Sequence, residues 1–168
     1  VHECLEDGLL EPSPSTDARV DRALASAGLR DEAHRAWLRR ELALHLAGAR
    51  EALPKTSGPA FREIPFRLAL PQRQGDVGVD RWLEGVIDLL YLDVERGCWV
   101  VLDYKSNRGP LEPLVEHYRP QILAYAWAAS RILPSVRDGG LPLAGELLFT
   151  AVGRREEALP PSAPAAIE

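Results

Sequence analysis

Apolar positions follow two different periods along this chain. Between residues 16 and 51 they recur every three or four positions: Val20, Leu24 and Ala27 first, then Trp37, Leu38, Leu42, Leu44 and Leu46. That spacing predicts two helices. Thr16 or Asp17 caps the first and Gly28 ends it; Asp31 opens the second, which closes near residues 48–51. Upstream, residues 2–10 read as the end of another helix, broken by Pro12 and Pro14. From residue 61 the period shortens to two. Phe61-Arg-Glu-Ile-Pro-Phe-Arg-Leu68 alternates as a half-buried strand does. A turn-rich stretch from Pro71 to Gly78 follows. Trp82-Leu-Glu-Gly-Val-Ile-Asp-Leu-Leu-Tyr91 and Cys98-Trp-Val-Val-Leu-Asp103 then read as strands joined by a tight turn at Glu95-Arg96-Gly97, so that residues 79–103 form a hairpin. Helical spacing returns over 114–133, with Leu123, Ala124, Trp127 and Ile132 available for burial. After a loop from Pro134 to Pro142, Glu146-Leu-Leu-Phe-Thr-Ala-Val152 is a last strand. The order of helices, three strands, helix, strand predicts a mixed α/β domain with a small central sheet. One domain over 1–155 is expected, with residues 156–168, rich in Pro and Ala, as a disordered tail.

Composition narrows the class. A chain of 168 residues with 46% hydrophobic and 27% charged residues is an ordinary globular domain, which excludes a wholly disordered, collagen-like or disulfide-scaffold chain. Its apolar runs fall well short of the ~20 residues that span a bilayer, and no secretion signal opens it. The chain contains no methionine and begins Val1-His2-Glu3, which reads as the middle of a helix and so as a piece of a longer protein. Cys4 and Cys98 are too few for a four-cysteine zinc or iron–sulfur site, and so few thiols point to a reducing, intracellular (cytoplasmic) setting. The net charge of −5 argues against a tight non-specific nucleic-acid binder. Carboxylates gathered around metal ions, however, look acidic until the metals are counted.

The chemistry concentrates between residues 85 and 125. Asp88 interrupts an apolar strand, where a charge has to be paired, bound to a metal or turned towards a cleft. Asp103 ends the next strand, and Lys105 shares its side because residues two apart on a strand do. Taken singly, each has a plainer reading: a turn-capping or solvated aspartate, a surface ion pair. If the strands pair as a hairpin, Asp88 lies beside Asp103. Two carboxylates and an ammonium together suit phosphodiester cleavage assisted by Mg²⁺ or Mn²⁺, which prefer oxygen ligands.

Three segments, Glu84-Gly-Val-Ile-Asp88, Val100-Val-Leu-Asp-Tyr-Lys-Ser-Asn107 and Tyr118-Arg-Pro-Gln-Ile-Leu-Ala-Tyr125, resemble the PD-(D/E)XK nuclease superfamily. The likeness is nearest to the RecB/AddA-type nuclease domain of bacterial recombination helicases, with its G-x-x-D, D-Y-K-S/T and Q-x-x-x-Y motifs in that order. The resemblance implies a restriction-endonuclease-like αβββαβ core with extra N-terminal helices. It also implies a metal-dependent deoxyribonuclease, similar to exodeoxyribonuclease V, acting in double-strand-break repair and recombination. By the same resemblance His2, Asp88, Asp103 and the backbone carbonyl of Tyr104 would hold Mg²⁺ or Mn²⁺, Lys105 would be the catalytic lysine, and Gln121 and Tyr125 would flank the site. Glu63 is a further acidic candidate; an exposed strand glutamate is the plainer reading. Arg108, Arg119 and His117 are candidates for contact with DNA, whereas Arg35, Arg39 and Arg40 read as a solvated helix face.

His34 and His45 match no motif and read as ordinary helix-face residues. No G-x-x-x-x-G-K-S/T phosphate loop occurs, so no ATP site is expected in this chain, and no iron–sulfur cluster. The implied partners are DNA, most naturally single-stranded, a helicase region of the parent chain and a second helicase–nuclease subunit; no membrane is implied. Glu84 stands where relatives often carry a basic residue. The competing reading is a catalytically silent module on the same fold, serving DNA binding or the assembly of subunits.

Overall fold

A computed structural model of the chain describes residues 15–26, 28, 31–54, 58–71, 81–138 and 140–163. The expected helix over residues 2–10, and His2 and Cys4 with it, lie outside the described residues. The elements are α1 (Ser15–Ser26), α2 (Glu32–Ala52), β1 (Ala60–Ala69), β2 (Trp82–Asp93), β3 (Cys98–Lys105), α3 (Leu111–Ile132), α4 (Pro134–Arg137), β4 (Leu143–Phe149) and β5 (Arg154–Ser162). The five strands form one sheet in sequence order, β1-β2-β3-β4-β5. β1–β2 and β2–β3 are antiparallel. Hydrogen bonds from Trp99 N to Pro142 O and from Thr150 N to Lys105 O, both 2.9 Å, advance in the same direction on β3 and β4, so those two strands run parallel with α3 and α4 as their crossover. This is the α/β architecture expected. β5 lies largely in residues that the Pro- and Ala-rich composition assigns to a tail beginning at residue 156. Strand pairing at the sheet edge overrides composition there, because an edge strand tolerates Pro160 and Pro161. Among the described residues no helix is long and apolar enough to cross a membrane.

The chain divides into two compact units. One comprises residues 56–103, 115–146 and 157–168. Its core includes Phe66, Ile87, Leu90, Trp99, Ala126 and Leu143. The β2–β3 turn closes where Asp93 Oδ1 accepts from Arg96 N at 3.0 Å and Gly97 takes φ +60, a conformation that costs glycine little. Helix α3 begins at Leu111, three residues before the apolar spacing starts, because Pro113 is tolerated in a first turn whose N–H groups have no helical partner. The buried stripe of α3 in this unit is Val115, Ile122, Ala126 and Ala129. Leu123, expected inside, is 40% exposed. The reason is local: a Cβ on Gly145 would lie 2.2 Å from Ile122 Cγ2, so β4 offers a bare backbone to Ile122 and turns Leu123 outward.

The other unit comprises residues 1–55, 104–114 and 147–156. Asp31 caps α2, its carboxylate accepting from His34 N at 2.8 Å. Leu42 and Leu46 are buried as the periodicity requires. Trp37 and Leu44 are not: they stand 52% and 55% exposed. His45, read as a helix-face residue, is buried instead. The inward stripe is Leu42, His45, Leu46 and Ala49, so the buried face of α2 is turned from the Trp37–Leu44 row by roughly one residue's rotation. Arg39, read as solvated, grips Asp21 of α1 through Nε at 2.8 Å and Nη2 at 2.6 Å.

Candidate active site

Two buried carboxylates, Asp88 and Asp103, lie at the end of the β2–β3 ladder. Leu89 pairs with Leu102 at the last rung of that ladder, and Asp88 and Asp103 are the next residues outward on their strands. Both are deeply buried, Asp88 at 6% and Asp103 at 2% exposure. The hairpin therefore brings together residues that lie far apart in sequence.

Helix α3 supplies the next layer. Gln121 Nε2 donates to Asp103 Oδ1 at 3.2 Å and to the Tyr125 hydroxyl oxygen at 2.9 Å. The four-residue spacing of this pair puts both on one helix face, as the sequence indicates. Burial pushes the Tyr125 phenol above its ordinary pKa. The Gln121 amide works against this shift, and the carboxylates of Asp103, Asp88 and Glu63 add to it. One phenol thus feels three carboxylates from three adjacent strands.

Glu63 enters through the backbone of β1. Arg62 pairs with Leu89 and Ile64 with Ile87, so Glu63 stands opposite Asp88 at a rung the ladder skips. It is also the one non-glycine residue with positive φ among the described residues, at 46°. A left-handed backbone costs an L-residue about 1–2 kcal/mol, and such strain is typical of functional sites.

The motif glycine has a packing reason. A Cβ on Gly85 would lie 3.0 Å from Phe66 Cζ and 3.3 Å from Tyr125 Cε1. The two rings meet edge to face at 5.8 Å over that bare backbone. A larger residue at 85 would push Tyr125, and through Gln121 would disturb Asp103. Sequence reading finds the glycine but not the rings it admits.

Lys105 is half-buried, two residues beyond Asp103 on β3, and strand alternation sends both side chains to the same side of that strand. Tyr104 between them is buried. The residues named for DNA contact are engaged locally. Arg108 is ion-paired with Glu41, and Arg119 with Glu116 at 2.6 Å. His117 meets the Tyr118 ring edge to face at 4.7 Å. Glu84 stands 4.0 Å from Arg67 on β1, a surface pair of little energetic weight.

Sequence reading singles out Asp88 as a charge in an apolar strand. Glu146 of β4 carries the same signature, at 4% exposure, without being singled out by it. Its carboxylate is neutralised by Arg96 Nη1 at 2.6 Å and accepts from the Tyr91 hydroxyl at 3.0 Å, while Arg96 Nη2 reaches Glu157 at 2.8 Å. It is a structural pair at the turn end of the hairpin. Cys98 is buried, and desolvation raises its thiol pKa, which makes it a poor nucleophile.

No group of three or more His, Cys, Asp or Glu side chains stands ready to hold a metal among the described residues. The side chains of the buried pair, Asp88 and Asp103, offer only oxygen ligands. That fits a hard divalent cation such as Mg²⁺ or Mn²⁺.

The chain is 32% identical over 81 residues to an ATP-dependent helicase/nuclease subunit of Lysinibacillus sphaericus (strain C3-41), a match that covers 43% of this chain and 6% of that much longer relative. Residues 1–162, β5 included, match the PD-(D/E)XK nuclease superfamily. A match over that span shows the family: this chain belongs to the PD-(D/E)XK nuclease superfamily.

Proposed function

We propose that the protein is a Mg²⁺- or Mn²⁺-dependent deoxyribonuclease of the exodeoxyribonuclease V kind. It would cut single DNA strands unwound by a helicase of its parent chain, beside a second subunit, in cytoplasmic double-strand-break repair and recombination. The observation that carries the reading is the buried Asp88–Asp103 pair, with Gln121 held on Asp103 at 3.2 Å and Lys105 two residues along the same strand. Carboxylates buried on neighbouring strands offer the oxygen ligands that a hard divalent cation prefers.

In this reading Asp88, Asp103, the Tyr104 carbonyl and His2 hold the cation, with Glu63 as a further carboxylate. When bound, a divalent cation supplies positive charge against the phosphate oxygens and acidifies a water. Gln121 holds Asp103 in one orientation by its amide bond, and Tyr125, kept protonated, fixes that amide. Lys105 orients the attacking water and offsets the charge that grows on the phosphate. The water oxygen bonds to phosphorus, the bond to the 3′ oxygen breaks, and that oxygen takes a proton, leaving a 5′-phosphate and a 3′-hydroxyl. Arg108, Arg119 and His117 contact the strand at its backbone.

The test is cleavage of end-labelled single-stranded DNA with and without Mn²⁺, beside Lys105→Ala and Asp103→Ala. Metal-dependent cutting by the wild type alone is the expected result. Equal cutting by Lys105→Ala would sink the assigned mechanism, and metal-independent DNA binding without cutting would identify a silent nuclease-fold binding module.

A further inference from the structure

His45 is buried at 7% exposure, has no place in the mechanism above, and belongs to no sequence motif. Its ring Nδ1 lies 2.6 Å from Thr150 Oγ1. Thr150 directs two donors at a single acceptor, the carbonyl of Lys105: its hydroxyl at 3.1 Å and its backbone N–H at 2.9 Å. A threonine hydroxyl has one proton. When that proton goes to the Lys105 carbonyl, the oxygen must accept from the ring, so His45 carries its proton on Nδ1.

The approach of α2 to this point is built into its sequence. Gly48 lies one turn beyond His45 on the same helix face, and a Cβ there would sit 2.2 Å from Thr150 O and 3.0 Å from Gly153 Cα. The helix thus presents a ring to the Thr150 hydroxyl and bare backbone to its carbonyl. Among the described residues Arg108 and Glu41, ion-paired with each other, are the charged side chains that act on His45. Burial, then Arg108, favours the neutral ring, with Glu41 opposing.

We propose that His45 and Thr150 are positioning residues, a buried relay running His45 Nδ1–H to Thr150 Oγ1–H to the Lys105 carbonyl, which fixes the peptide leaving the catalytic lysine and so aims its side chain. The inference rests on the reading of Lys105 as the catalytic lysine. A displacement of about 1 Å at a reacting group costs on the order of 100-fold in rate, so loosening this peptide lowers turnover without touching DNA affinity.

Thr150→Val keeps the branched shape and deletes the hydroxyl; Thr150→Ser keeps the hydroxyl. His45→Leu deletes the ring donor; His45→Asn can place an amide N–H where Nδ1 stands. Steady-state cleavage of a single-stranded oligonucleotide with Mn²⁺ is measured for all four, for Lys105→Ala and for the wild type, with unfolding midpoints alongside. The expected result is a fall in kcat of roughly 10- to 100-fold for Thr150→Val and His45→Leu, KM within about two-fold, and recovery of most of the loss in Thr150→Ser and His45→Asn. Should Thr150→Val fail to fold, His45→Leu carries the comparison, since Thr150 stays in place. Wild-type kcat in the deleting variants, or equal losses in deleting and retaining variants, overturns the relay. Full activity in Lys105→Ala overturns instead the catalytic reading on which it rests.

Discussion

Glu63 combines a strained backbone with a carboxylate, and the two can be separated by substitution. At φ 46 an L-residue bears the left-handed cost of about 1–2 kcal/mol, which glycine escapes. Glycine in turn loses about 0.5–1 kcal/mol more than alanine through the freedom of its unfolded chain. Glu63→Ala removes the carboxylate and keeps the strain; Glu63→Gly removes both. Relief of repulsion from Asp88 and Asp103 is common to the two variants, so their difference isolates the backbone. Glu63→Gly should exceed Glu63→Ala in stability by about 0.5–1 kcal/mol. With a urea m value of about 2 kcal/mol/M, that is a midpoint shift of roughly 0.25–0.5 M. Both variants should lose Mn²⁺-dependent cleavage to the same extent, together with part of the rise in melting temperature that Mn²⁺ gives the wild type. The assays are urea unfolding followed by tryptophan fluorescence, thermal melts with and without Mn²⁺, and single-strand cleavage. Equal stability of the two variants would refute the strain argument. Wild-type cleavage and an unchanged Mn²⁺ shift in both would remove Glu63 from the site.

Two further predictions concern groups outside the chemistry. Arg96→Ala leaves the Glu146 carboxylate buried without its cation and should cost about 3 kcal/mol, whereas Arg96→Ala with Glu146→Gln should cost far less than the sum of the singles in denaturant unfolding; additivity would show that the pair is not coupled. The folded-state pKa of His45 is lowered, chiefly by burial, so its contribution to stability is fully present above the unfolded value near 6.5 and is lost as pH falls from there towards the folded pKa, at up to about 1.36 kcal/mol per pH unit. Unfolding free energies between pH 7.5 and 5 should therefore fall more steeply for the wild type than for His45→Asn, and parallel curves would show that His45 titrates alike in both states.

Much of the candidate site was legible from residue order. The apolar strands around Asp88 and Asp103, the D-x-K spacing and the four-residue step from Gln121 to Tyr125 are local features, and local periodicity dictates which side chains share a strand side or a helix face. The hairpin register followed from a short Asp93–Gly97 turn, which leaves the two aspartates little choice but to stand one rung past Leu89 and Leu102.

What the sequence could not decide is how each amphipathic face is rotated and what closes onto it. The buried faces of α2 and α3 differ by a residue from the rows their apolar residues suggest, because Gly48 and Gly145 let backbone approach where a side chain was expected to fill space. That rotation buries His45, exposes Trp37 and Leu44, and seats Ile122 in place of Leu123. β5 likewise exists because a sheet edge was there to receive it. Hydrophobic pattern specifies that a face is buried, but close packing between elements distant in sequence selects which residues line it. For this protein the sequence alone therefore indicated the family, the order of the main elements up to β4 and the candidate residues of the chemistry. The tertiary structure alone decided the strain at Glu63, the rings over Gly85 and the hydrogen bonds from Thr150 to the Lys105 carbonyl, with His45 of α2 behind Thr150, since each of these depends on contacts between segments that no local pattern connects.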